Sequence, residues 1–209
     1  MQDQVLKVGL IGLGNMGRNH LRVLSMLKGF ELAFVADANA EVAAKAGEAH
    51  GIPGVVDPTP LLAGVDAVVI CTPTVTHADY IRLAAAHVKN IFVEKPLAAT
   101  LEEAREVAAF AREKGLNIQV GFIERFNPAV QALKMVLDKT ERVISLDFTR
   151  TNKVSSRITD VDVVTDLMIH DIDLAIAQGE QVGIVGATGS GKTTLMALLL
   201  RLYELQEGV

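Results

Sequence analysis

The sequence predicts an α/β fold with a doubly wound parallel sheet, and three observations lead to that prediction. Apolar runs alternate with helical patterns almost from the first residue. The runs are continuously apolar, as expected for parallel strands that helices cover on both faces. The turn GLGNMG, residues 12–17, joins the first apolar run to the first helical pattern. Together these features are typical of a Rossmann domain, which we expect at residues 1–122.

The elements of this domain follow in order along the chain. Gly51 and Gly115 stop two of its helices, because glycine adopts the left-handed conformation that ends a helix. Thr100 and Glu103 form a capping box that starts the last helix. The predicted strands are 5–11, 30–37, 65–72, 90–94 and 117–120, and the predicted helices are 15–28, 40–50, 76–87 and the segment between Thr100 and Gly115.

The pattern changes after residue 122. Asn127-Pro128 predicts the start of a helix that runs to about residue 138. An alternating strand is predicted at 142–151 and a helix at 163–177. A strand at 181–185 then leads into a glycine loop and a final helix. We therefore expect a truncated second α/β region at 123–177 and a terminal P-loop strand–loop–helix at 178–209.

The composition argues against several classes of protein. The net charge is −5 and no Lys/Arg-rich block occurs, so nucleic acid is not an expected partner. No apolar stretch reaches about 18 residues, so we expect no membrane segment, and the first residues lack the pattern of a signal peptide. The single cysteine, Cys71, cannot form an intrachain disulfide, which is typical of the reducing cytoplasm.

The glycine turn at residues 12–17 predicts a dinucleotide site. Its glycines allow a tight turn and a close approach of the backbone to a pyrophosphate, which the N–H groups of the helix start would face. Asp37, at the end of the second strand, can accept both ribose hydroxyls of NAD. No arginine follows it to pair with a 2′-phosphate, so NAD is favoured over NADP. A plain α/β turn is the alternative. The residues assigned here are Gly12, Gly14, Asn15, Met16, Gly17 and Asp37.

Three further residues could manage a proton during hydride transfer. Lys95 directly follows the fourth predicted strand, at the edge where open α/β sheets bind ligands, although a solvated lysine is the simpler interpretation. Asp166 and His170 would share one face of a helix, and a histidine is a suitable base for a hydroxyl proton. A structural histidine is the alternative. A metal site from His170, Asp171 and Asp173 ranks lowest, because adjacent residues do not share a helix face.

The chain also resembles a known family. The segments KVGLIGLGNMGRNH, VVICTPTVTHADY, VEKPLAATLEEAREVA, QVGFIERFNPAV and DLMIHDIDLA are similar to the Gfo/Idh/MocA family of NAD(P)-dependent sugar oxidoreductases. Within it they are most similar to dehydrogenases that act on UDP-N-acetylglucosamine. The resemblance implies a sugar or sugar-nucleotide substrate. It also implies that Thr72, Pro73 and His77 line the cofactor, that Glu94 and Lys95 belong to the E-K-P motif, and that Asp166 and His170 form the D-x-x-x-H pair.

A second motif stands at the end of the chain. In a G-x-x-x-x-G-K-[ST] loop, backbone N–H groups cradle phosphates and the hydroxyl can hold Mg²⁺. The stretch GEQVGIVGATGSGKTTLMALLLRLYELQEG resembles the Walker A region of ABC-transporter ATPase domains, and a chance glycine-rich turn is the alternative. No candidate acid follows to hold a metal, so we expect at most Mg-ATP binding, without hydrolysis. The loop residues are Gly186, Gly189, Gly191, Lys192, Thr193 and Thr194.

Three functional hypotheses follow. The leading one is an NAD-dependent oxidoreductase whose substrate domain is incomplete. The second is an ATP-binding P-loop fragment of a transporter ATPase. The third is an inactive, self-associating scaffold, and because an unfinished sheet exposes strand edges we expect a homo-oligomer. The change of character near residues 177–179 predicts a junction, which is a natural fusion, a wrongly assembled reading frame or an artificial chimera.

Overall fold

The computed structural model describes residues 5–139 and 169–176. The chain divides into two compact units, Met1–Gly121 and Phe122–Val209. The predicted strand at 142–151, the whole of the predicted strand–loop–helix at 178–209, and the first part of the predicted helix at 163–177 lie outside the described residues. The predicted domain boundaries at 122 and 177 stay predictions.

The first unit is built on a six-stranded sheet, in which every strand pair is parallel. The strand order is β3-β2-β1-β4-β5-β6, so the winding direction reverses between β1 and β4. This order is that of a doubly wound Rossmann sheet, and the predicted fold class is confirmed. The strands are β1 Leu6–Ile11, β2 Phe30–Ala36, β3 Gly54–Val55, β4 Ala67–Ile70, β5 Asn90–Val93 and β6 Asn117–Val120.

Four helices connect these strands: α1 Asn15–Leu24, α2 Ala40–His50, α3 His77–Ala85 and α4 Leu101–Lys114. The Asn39 side chain accepts hydrogen bonds from two N–H groups at the start of α2, and Thr100 accepts one from the Glu103 N–H at the start of α4. Gly51 and Gly115 end the same two helices with φ of 66° and 61°. The predicted caps and stops are therefore confirmed, since each satisfies backbone groups that the helix leaves without partners.

The core has two layers, one on each face of the sheet. One layer joins β-strand residues such as Phe34 and Ile70 to Ile81 of α3 and Val107 of α4. The other joins a second set of strand residues to Leu21 of α1. Both faces of the strands are thus buried, which is the physical reason why the sequence shows continuous apolar runs rather than alternation.

The structure differs from the predicted elements in several places. The short strand β3 and the 3-10 segments at Thr59–Gly64, Thr74–Thr76 and Ile123–Phe126 were not predicted, because two paired residues and irregular turns leave no periodic signal. Helix α1 ends at Leu24 instead of residue 28, since the chain must turn at Gly29, with φ of 88°, to enter β2. The other strands and helices of the first unit, and helix α5, begin and end within two residues of their predicted bounds.

The second unit is described in part. A 3-10 turn at Ile123–Phe126 leads into α5, Pro128–Leu137, which Asn127 caps and Pro128 opens as predicted. Helix α6, Ile169–Ile176, falls inside the predicted helix at 163–177. Arg125 of the 3-10 turn forms an ion pair with Asp173 of α6. Across the described residues of both units, no helix is long and apolar enough to cross a membrane.

Candidate active site

The carboxyl ends of four neighbouring strands are aligned. Ile11 pairs with Ala36 of β2 and with Ile70 of β4, and Ile70 pairs with Val93 of β5. The residues that follow these ends, at positions 12, 37, 71 and 94, therefore form a row along one edge of the sheet. We call this row and the turns behind it the carboxyl edge. It is the edge at which open α/β sheets bind their ligands.

Two glycines of the dinucleotide turn are required by packing. Gly12 has φ of 92°, and a methyl group on it would lie 2.6 Å from the carbonyl group of Cys71. A methyl group on Gly17 would lie 1.9 Å from the Gly12 carbonyl oxygen. Both positions therefore bring backbone against backbone, which only glycine permits. The turn is anchored by the Gly12 N–H, which donates to the Ala36 carbonyl at 2.8 Å.

Gly14 differs from its neighbours, because no heavy atom lies within 4 Å of the position a methyl group would take. It stands at the N-cap of α1, and no side chain caps this helix start. Asn15 and Met16 are exposed beside it. The start of α1 thus has no side-chain cap and has open space beside its N-cap residue, and an uncapped helix start can bind an anion.

Asp37 joins the glycine turn to the end of β2. Its Oδ2 accepts a hydrogen bond from the Leu13 N–H at 2.8 Å, and its Oδ1 accepts one from the Asn39 N–H at 2.9 Å. An ionised carboxylate offers about four acceptor positions, so two remain for hydroxyl groups of a ligand. Asp37 is half-buried and therefore still reachable.

The loop after β4 carries Thr72, Pro73 and His77. His77 is 1% exposed, with Nε2 2.9 Å from the Thr72 carbonyl oxygen and Nδ1 2.8 Å from that of Pro96. Its ring thus faces backbone on both sides and joins this loop to the segment after β5. Thr72 and Pro73 are the more accessible residues of the loop, so they are the better placed to line a cofactor.

Glu94 and Lys95 follow β5. The Glu94 N–H donates to the Ile70 carbonyl at 3.0 Å, and its side chain points to α1, where Oε1 lies 2.6 Å from Nε2 of His20. Glu94 is 7% exposed, whereas Lys95 is half-buried. The lysine therefore extends from a fixed backbone at the carboxyl edge, and Lys95 has further interactions of its own.

A cluster at this edge was missed by sequence reasoning. His20, Cys71 and Glu94 bring their nitrogen, sulfur and oxygen atoms within 4.8 Å of one another. Burial, and then the Glu94 carboxylate, raise the pKa of the Cys71 thiol above its ordinary value of 9.0. The sequence offered no local signal for this cluster, because its members lie on three separate elements. Cys71 itself is a buried free thiol.

His170 belongs to the second unit. It is buried in α6, and its ring meets the Phe122 ring edge to face at 6.5 Å. Arg125 stacks over the same Phe122 ring at 5.3 Å and donates from Nε to Oδ2 of Asp173 at 2.6 Å. These contacts fix the face that α6 presents to the turn at residues 123–126. Asp166 and the P-loop residues Gly186, Gly189, Gly191, Lys192, Thr193 and Thr194 lie outside the described residues.

Two family models match the chain. Residues 6–122 match an oxidoreductase family with an NAD-binding Rossmann fold. Residues 169–209 match a model described as ABC transporter. The two matches do not overlap.

Individual relatives are similar to the chain over most of its length. UDP-N-acetylglucosamine 3-dehydrogenase of Acidithiobacillus ferrooxidans is 36% identical over 174 residues, which are 82% of this chain and 53% of the relative. A structure of that enzyme matches with a TM-score of 0.70 and 32% identity, covering 88% of this chain and 62% of the other. The crystal structure of myo-inositol dehydrogenase from Lactobacillus casei in complex with NAD(H) and myo-inositol matches with a TM-score of 0.74 and 34% identity, covering 84% and 54%. The chain spans about half the length of the curated relatives it matches.

Proposed function

We propose that this chain, which belongs to the Gfo/Idh/MocA family of oxidoreductases with an NAD-binding Rossmann fold, binds NAD at its carboxyl edge and oxidises a CH–OH carbon of a sugar-like substrate. The proposal is carried by one observation: the four aligned strand ends are followed, side by side, by Gly12, Asp37, Cys71 and Glu94. It provides an anion site, a ribose site and a lysine in one line, as a dinucleotide requires.

The cofactor fits the open space at Gly14. A pyrophosphate there would meet the uncapped N–H groups at the start of α1, and the Asp37 carboxylate would accept the adenosine ribose hydroxyls. NAD is favoured over NADP, because the carboxylate would repel a 2′-phosphate and the following residues, Ala38 to Ala40, carry no positive charge.

The chemistry rests on Lys95 and His170. NAD, when bound, supplies the acceptor for the hydride that leaves the substrate carbon. The Lys95 ammonium would stabilise the negative charge that develops on the substrate oxygen, and the His170 imidazole would accept the hydroxyl proton. Asp166 would orient that imidazole. The relatives named above support a substrate class of sugar nucleotides or cyclic polyols.

Cofactor binding is tested by titration of the chain with NADH, followed by fluorescence. Replacing Gly14 by valine puts a side chain where no protein atom lies within 4 Å of its first carbon, so we expect at least a tenfold weaker affinity and an unfolding temperature close to that of wild type. Gly64→Val is the matched control, because a side chain at Gly64 also meets open space but lies at the end of the 3-10 segment. Failure of the wild-type chain to bind NADH, or an unchanged affinity in Gly14→Val, would refute the proposal.

The substrate class is tested separately. The chain would be mixed with NAD and each member of a panel of UDP-sugars and inositols, and the formation of NADH would be followed by its near-ultraviolet absorbance. We expect reduction of NAD with at least one member, and loss of it in Lys95→Met. A chain that binds NADH but reduces NAD with no member of the panel is a cofactor-binding protein and not an oxidoreductase for these substrates.

A second candidate function is nucleotide binding at the terminal P-loop, favoured by the ABC transporter match at residues 169–209. It predicts calorimetric binding of Mg-ATP that Lys192→Ala abolishes, because the lysine reaches the outer phosphates in such loops. Binding of Mg-ATP in the absence of NADH binding would make this the leading function.

We also propose a homo-oligomer. Strand β6 pairs with β5 on one side, and among the described residues its other side has no strand partner. An open strand edge favours pairing with a second copy of the chain. Light scattering that gives the monomer mass, 22.4 kDa, at all concentrations would contradict this.

A further inference from the structure

The strand order determines which half of the cofactor lies over which strands. The glycine turn follows β1, and Asp37 follows β2 on one side of it. Glu94 and Lys95 follow β5, on the other side of β1 beyond β4. A dinucleotide with its pyrophosphate over β1 and its adenosine ribose at Asp37 must therefore extend its nicotinamide half across β4 and β5.

His20 connects these two sides of the edge. It lies on α1, one turn beyond Gly17, and its ring packs against Phe92 of β5 with the centroids 5.1 Å apart. Its Nε2 lies 2.6 Å from Oε1 of Glu94. Because a carboxylate only accepts, the proton of this hydrogen bond belongs to Nε2. The helix that begins at the pyrophosphate site thus holds a side chain at the nicotinamide side.

In the cluster of His20, Cys71 and Glu94, the imidazole and the carboxylate are joined by this hydrogen bond, and the Cys71 sulfur lies within 4.8 Å of both. Burial raises the pKa of the Cys71 thiol, so the group beside the pair is a neutral thiol. The thiol therefore fills space beside the pair.

Each of the two neighbours of Lys95 in the chain, Glu94 and Pro96, is in hydrogen-bond contact with a histidine. On one side, Glu94 is bound by His20 through its side chain and by Ile70 through its N–H. On the other side, the carbonyl oxygen of Pro96 lies 2.8 Å from Nδ1 of His77. The residues on both sides of Lys95 are therefore held in place. Of the two histidines that hold them, His20 is the one that lies on α1, the helix whose start would bind the pyrophosphate.

We propose that His20 is a positioning residue for the nicotinamide half of the cofactor, acting through Glu94 on Lys95. This inference rests on the proposed function, since it presumes that NAD binds at the carboxyl edge. Without the His20 N–H, the buried Glu94 carboxylate loses one hydrogen-bond donor, so its present position becomes less favourable. A shift of Glu94 would then move Lys95, which follows it in the chain. The adenosine half, held at Gly14 and Asp37, lies on the other side of the pyrophosphate and is not affected.

The test compares two ligands on the full chain, NADH and ADP-ribose, which lacks the nicotinamide. His20→Phe keeps a ring against Phe92 and removes the hydrogen bond to Glu94. We expect NADH affinity to fall about tenfold and ADP-ribose affinity to change less than about twofold. His20→Gln keeps an N–H near the place of Nε2, so it should recover NADH affinity to within about threefold of wild type.

ADP-ribose binding also reports whether the variant is folded. If His20→Phe binds neither ligand, His20→Asn replaces it in the test, because its shorter amide cannot span the distance to Glu94 but remains polar. Equal losses for NADH and ADP-ribose in His20→Asn, or no loss of NADH affinity, would overturn the role of His20 while leaving the proposed function standing. A wild-type chain that binds neither ligand would overturn both.

Discussion

The two units hold their candidate site residues by different means. At the carboxyl edge of the first unit, backbone hydrogen bonds align the strand ends: Gly12 bonds to Ala36, Cys71 to Ile11 and Glu94 to Ile70. In the second unit, the described contacts of α6 with the turn at residues 123–126 are made by side chains, with the ion pair of Arg125 and Asp173 at their centre. Truncating a side chain should therefore destabilise α6, whereas the free energy of unfolding of the first unit should fall mainly with changes that displace backbone.

The largest effect is expected where a side chain is forced between backbone segments of the first unit. Gly17→Val would place its first methyl position 1.9 Å from the Gly12 carbonyl oxygen, so α1 must move. Overpacking of this kind costs about 3 kcal/mol of unfolding free energy. Urea unfolding followed by circular dichroism measures it. Gly14→Val, three residues earlier, meets open space and should unfold like wild type; equal losses in both variants would contradict the distinction between packed and open glycines.

The second effect tests the ion pair that holds α6. Arg125→Met leaves Asp173, which is 4% exposed, as a buried charge without its guanidinium partner. Breaking such a pair costs about 3 kcal/mol, so amide hydrogens of residues 169–176 should exchange about a hundredfold faster.

Hydrogen exchange resolved by segment makes that measurement, with Arg112→Met as the control. Arg112 lies exposed on α4, and the same chemical change there should leave exchange in α6 unaltered. If the hydrogen-exchange protection of α6 is unchanged in Arg125→Met, other contacts hold the helix. The proposed difference between the two units, backbone bonds in the first and side-chain contacts in the second, would then be wrong.

The sequence predicts the first unit well because its signals are local. Each long strand is a continuous apolar run, α2 and α4 have their own caps and stops, and the glycine turn requires only neighbouring residues. The contact of His20 with Glu94 joins residues 74 positions apart, and the sequence around either residue gives no signal of the other. Strand β3 escapes for a different reason, since two residues that pair with β2 at Gly54 and Val55 are too few to form a pattern.

The third prediction concerns pH and the interior of the carboxyl edge. Burial raises the folded-state pKa of the Cys71 thiol above its ordinary value of 9.0. A group with a raised folded pKa contributes stability below its unfolded pKa and loses it as the pH rises toward the folded value. Between pH 8 and 10 the wild-type chain should therefore lose about 1 kcal/mol more unfolding free energy than Cys71→Ala. Parallel pH profiles of the two proteins would show that the thiol ionises without hindrance and that the edge is open to water.

The smallest loss of unfolding free energy is expected when the N-cap of α4 is removed. This cap is a side-chain contact, and the backbone hydrogen bonds of the sheet do not depend on it. The Thr100 hydroxyl accepts from the Glu103 N–H at 3.2 Å, and Ala104 and Val107 of the same helix are buried in the core. Thr100→Ala should cost about 1 kcal/mol, because the packed face keeps α4 in place after the cap is gone. Thr100→Ser keeps the hydroxyl and should match wild type in chemical denaturation. A loss in Thr100→Ala as large as that in Gly17→Val would mean that side-chain contacts support the first unit as much as backbone contacts do, and the difference between the units would then lie elsewhere.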